Sequence, residues 1–130
     1  MAITKTSSLT TLADKLVVNL DADTDSSNNV TGASSGSVYI IEIDATEGVA
    51  TTAEPACFVK IADASSATGG GGSSTVPVLV LYAPIGVVTK YVIKSGWAFT
   101  SGVSYWCVTS SALAGDTSPT ADIKVTIISS

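Results

Sequence analysis

Hydrophobic positions recur along this chain at every second residue, in short runs rich in Val, Ile and Tyr that Gly, Ser, Asp and Pro separate. That spacing is the period of a β-strand, whose successive side chains leave opposite faces, and not the 3.6-residue period of a helix. After a first run at 15–20, residues 37–44 place Tyr39, Ile41 and Ile43 on one face and Val38, Ile40 and Glu42 on the other, both faces substantially covered. Residues 56–62 direct Cys57, Val59 and Ile61 inward and Phe58 and Lys60 away, and a hydrophobic run comes next at 77–83. Residues 87–94 direct Val87, Tyr91 and Ile93 inward with Lys90 and Lys94 outward. Val103, Tyr105 and Cys107 share a face at 103–109, and so do Ile123, Val125 and Ile127 at 122–128.

Seven or eight strands at this spacing predict an all-β fold, an antiparallel β-sandwich or barrel-like domain. Only residues 9–16 offer an apolar spacing that would allow about two helical turns. The polar stretch 21–36 and the Gly/Ser-rich stretch 64–75, with four successive glycines, read as surface loops, since serial glycine carries high backbone entropy. Residues 1–14 hold few large apolar groups, Ile3, Leu9 and Leu12 among them, and predict an extended N-terminal arm that orders against a neighbouring subunit. The remaining residues, 15–130, are expected to form one domain.

Composition narrows the function classes. The chain is 45% hydrophobic and only 13% charged, so it is a folding sequence whose polar surface is built from Ser and Thr, which suits lateral contact with protein. Its net charge is -5, Arg and His are absent, and the lysines are scattered singly. Nucleic acid is therefore not an expected partner, because phosphate neutralisation needs a clustered cationic footprint. No apolar stretch has the length of a signal peptide or a membrane span, so the expectation is synthesis in the cytoplasm without membrane insertion.

The absence of His removes the commonest general base and the usual zinc and copper ligands, so no enzyme activity and no cofactor are expected. Glu42, Asp44, Glu47 and Glu54 lie near strand ends, where solvated acids are ordinary. Residues 21–29 (DADTDSSNN) resemble the opening of a calcium loop, but Ser26 stands where the turn glycine belongs and Gly32 where the bidentate Glu belongs. A solvated loop is the favoured reading of that stretch, with a shallow oxygen-rich cation site as the alternative. Cys57 and Cys107 are expected as buried free thiols, a disulfide bridging two sheets being the alternative. Trp97, Phe99 and Trp106 are candidate partner contacts, with core packing or a sugar-stacking platform as the competing roles. Alternation puts Tyr105 and Trp106 on opposite faces, leaving one of them available to a partner.

The segments VKIA at 59–62, VP at 76–77 and above all IKSGWAFTSGVSYWCVT at 93–109 resemble small virion structural proteins of tailed phages. The resemblance implies a β-sandwich that cements or decorates a capsid, or one that sits in the neck or tail, where it would serve as a host-surface or glycan attachment module. A head location is favoured: a dimer or trimer spanning junctions of the major capsid protein, on the capsid exterior, would gain avidity from many small contacts. Residues 1–14 and the aromatic turn at 95–102 would make those contacts.

Overall fold

The computed structural model describes residues 3–7, 15–23, 28–29, 35–65, 76–113, 115 and 117–130. Those residues contain nine strands and no helix: β1 (Ile3–Ser7), β2 (Lys15–Asn19), β3 (Asn28–Asn29), β4 (Gly36–Asp44), β5 (Ala56–Asp63), β6 (Leu79–Pro84), β7 (Val88–Phe99), β8 (Val103–Val108) and β9 (Lys124–Ser129). They form two sheets, ordered β1-β2-β9-β4-β7 and β3-β8-β5-β6, and every pairing is antiparallel. The expected all-β sandwich is present. The chain crosses between sheets at most connections, as two layers sharing one core require.

Between the layers lie Ile41 and Ile43 of β4, Cys57, Val59 and Ile61 of β5, Val103, Tyr105 and Cys107 of β8, and Ile123, Val125 and Ile127 at β9, all buried. These are the inward sets that strand alternation selects. Along β4 the alternation slips: Val38 is in the core and Tyr39 is not. The cause is a bulge in β4 itself: Val38 faces Ser129 of β9 and Ile40 faces Ile128, so Tyr39 is an extra residue against β9, and the pairing with β7 is interrupted at the same place, Val38 facing Trp97 and Ile40 facing Val92. An inserted residue of this kind reverses the face taken by the residues beyond it. Gly96 lies in the interrupted part of β7 at φ +76, and a Cβ there would come within 2.9 Å of the Tyr39 ring and of Ser37 Cβ.

Two other expectations change. Val87 is exposed, because β7 begins only at Val88 and the preceding turn is pinned by Gly86 N donating to Ala45 O. Ile3–Ser7, expected in an arm that orders on a neighbour, pairs instead with β2 of its own chain, Ile3 opposite Asn19 and Ser7 opposite Lys15. Leu9 and Leu12, the four-glycine stretch and most of residues 24–34 lie outside the described residues.

Candidate interaction surface

The two outer faces of the sandwich differ in charge. On the first sheet, rows run across the strands as Val88-Asp44-Lys124, Lys90-Glu42-Thr126-Val18 and Val92-Ile40-Ile128-Leu16. Two of these rows are charged, and Lys90 Nζ lies 3.2 Å from Glu42. The second sheet presents Tyr82-Phe58-Val108, then Val80-Lys60-Trp106, then Ala62-Ser104. No charged residue occurs between Asp63 and Lys90 or between Lys94 and Asp116, so β6 and β8 contribute no charge at all. The single cation in those rows, Lys60, is 0% exposed.

Lys60 is hidden because the chain doubles back after β8. Thr109 N donates to Thr117 O, and within this excursion the carbonyls of Ala112 and Gly115 accept from Lys60 Nζ, the Gly115 contact at 3.4 Å. Burial pushes the ammonium below the ordinary lysine value, since a charged group loses hydration there. Beside it, Trp106 packs with Ala62, Val108, Phe58 and Ala64 in a small second cluster on the outside of the sheet. What stays open lies toward the β6 edge: Val80, Tyr82 and the preceding Val76 and Val78, together with Leu113, are all exposed. Tyr82 stands against the Phe58 ring, centroids 5.7 Å apart. Contiguous exposed apolar patches are found at protein contacts, membrane contacts and ligand grooves alike.

The residues expected at a partner surface are distributed differently. Phe99 and Trp106 are 2% and 1% exposed and fill the fold, so neither is available to a partner. Trp106 points away from the main core as alternation requires, yet it is buried in the outer cluster with Ala62, Val108, Phe58 and Ala64. Trp97 is half-buried against the core with its ring 6.1 Å from Phe99. Only Trp97 is left for a sugar-stacking platform. Ile3 sits in the edge strand β1, and Leu9 and Leu12 lie outside the described residues. The exposed Val80 and Tyr82 were missed: local sequence marks them as an ordinary strand, and only the absence of charge around them hints at contact.

The aromatic turn is anchored at its far end by Asp63, which accepts from Ser101 N at 2.8 Å and from Thr100 N at 3.0 and 3.1 Å. These amides, Ser101 first, hold its carboxyl below the ordinary value. A depressed carboxylate contributes stability above its unfolded value of about 3.9 and loses it as pH falls through the folded value. Asp63→Asn should therefore lower stability at neutral pH by about 1–2 kcal/mol and flatten the acid limb; urea titrations from pH 7 down to pH 2 measure both effects.

Cys57 and Cys107 are free and buried, not joined. Both belong to the second sheet, so a bridge between sheets is ruled out by their placement: Cys107 faces Val59, which sets Cys57 diagonally across β5 and β8. Cys107 donates a hydrogen bond to Cys57, which lowers the Cys57 thiol and raises that of Cys107. Among the described residues no three His, Cys, Asp or Glu side chains converge as metal ligands, and part of the Asp21–Asp25 loop lies outside them. No family model, curated protein or solved structure matches this chain.

Proposed function

We propose that this chain is a non-enzymatic structural subunit of a tailed-phage particle, a cement protein that joins neighbouring copies of the major capsid protein on the capsid exterior. The observation that carries the assembly half of this reading is the contrast between the two outer faces: one sheet sets its apolar Val92 row beside Glu42, Asp44, Lys90 and Lys124, while the other presents an uncharged apolar strip along β6 with no exposed charge in its rows. A subunit that works by protein contact needs such a strip, because burying apolar surface is favourable while burying unpaired charge is costly. The phage half rests on the resemblance of 59–62, 76–77 and 93–109. On this reading the stretch 1–14, with its edge strand β1, and the exposed residues of the 95–102 turn other than Phe99 meet the capsid lattice, neither nucleic acid nor a membrane is a partner, and synthesis takes place in the host cytoplasm.

Mass spectrometry of purified particles from the phage that encodes the chain tests this directly. Cementing predicts on the order of hundreds of copies per particle, as many weak contacts acting together require. A chain absent from particles, or present in only a handful of copies at the neck or tail, overturns the reading.

A further inference from the structure

We propose that two copies of this chain associate about a twofold axis by packing the outer faces of their second sheets against one another along β6. The inference deepens the assembly reading above and rests on it, since it names what covers the exposed strip.

Charge selects the occupant. Two copies each carrying -5 repel, so self-association is favoured where neither copy presents charge. The outer face around β6 is such a place: Val78, Val80 and Tyr82 are exposed there, Leu113 is exposed on the returning 109–117 segment, and the lysine in the same rows is buried beneath that segment. A twofold contact sets a patch against its own copy, so both sides are uncharged. A head-to-tail contact would instead press the strip onto the other sheet, whose apolar Val92 row is flanked by the Lys90-Glu42 and Asp44-Lys124 rows, and these charges would lose water on burial.

The geometry also specifies packing of side chains rather than pairing of strands. The β6 edge is the free edge of its sheet, but the Tyr91 hydroxyl reaches across from the first sheet and donates to Tyr82 O at 2.6 Å. This carbonyl is thereby closed to an added strand, one of the ways in which natural sheets protect an edge. The Tyr82-Phe58 ring contact holds the strip in place before a second copy arrives, which limits the ordering cost of association.

Sedimentation velocity and light scattering on the purified full chain test the proposal without any particle. The wild type should be a dimer at micromolar concentration. Val80→Lys and Tyr82→Glu should each weaken the dimer at least about tenfold, with unchanged circular dichroism at about 25 °C. Val88→Lys, on the outer face of the first sheet beside Asp44, should leave it intact. A wild type that stays monomeric at its highest soluble concentration, a trimer, or a dimer indifferent to Val80→Lys overturns the proposal. Particle binding by a monomer that Val80→Lys abolishes would assign the strip to the capsid protein and overturn the dimer alone. A dimer that behaves as expected but is missing from particles would overturn the cement reading alone.

Discussion

Trp106→Ala should destabilise the fold by about 3–5 kcal/mol, the range for removing a fully buried large aromatic ring. The side chain is 1% exposed and joins Ala62, Val108, Phe58 and Ala64, so its loss leaves a cavity in that cluster on the outside of the second sheet. Among the described residues its buried indole Nε1 has no hydrogen-bond partner, so the substitution gives up ring packing. Trp106→Phe keeps most of the packing and removes the unpaired donor; the expected loss is within about 1.5 kcal/mol. Urea denaturation with the slope held in common gives both values. A Trp106→Ala variant as stable as the wild type would mean that the ring serves a partner and not the fold.

Lys60→Ala should cost a similar amount, about 3–5 kcal/mol, for a different reason. It removes a buried four-carbon stem and takes the ammonium donor from the carbonyls of Gly115 and Ala112, the latter keeping its bond from Gly115 N at 2.9 Å. Lys60→Met separates these contributions: the stem is kept and the buried charge relieved, so stability should fall within about 1–2 kcal/mol of the wild type. The folded pKa of Lys60 is lowered, so between that value and the unfolded value of about 10.4 the unfolded chain binds more protons. Wild-type stability should therefore rise with pH through that window, and Lys60→Met should remove the Lys60 part of the slope. Urea midpoints measured across the alkaline range read this out, and a variant with the wild-type slope would contradict the burial of the ammonium. Lys60 and Trp106 face each other across β5 and β8, so the double variant should lose less or more than the sum of the singles.

Strand alternation alone determined the fold class and most of the core. Cys57, Val59 and Ile61, or Ile123, Val125 and Ile127, are inward because side-chain direction in a strand is a local property of period two. The absence of charge around β6 was also legible, since it is a property of composition. Where the local period is interrupted, the sequence misleads: Val38 takes the core position that alternation assigns to Tyr39, because Tyr39 is an extra residue of β4 against β9 and reverses the faces on either side of it. Phe99 and Trp106 read as partner contacts because nothing within a few residues of them reveals what lies on top. Lys60 meets the chain that returns after β8, whose carbonyl at Ala112 is 52 positions away, and Trp106 is buried by Ala62 and Phe58 of a neighbouring strand and by Ala64. The pairing order of the strands likewise decided that both cysteines share one sheet and that β6 ends its sheet with Val80 and Tyr82 uncovered. A strand's period states which side chains share a face; only the packing of distant segments decides whether that face meets core, loop or solvent.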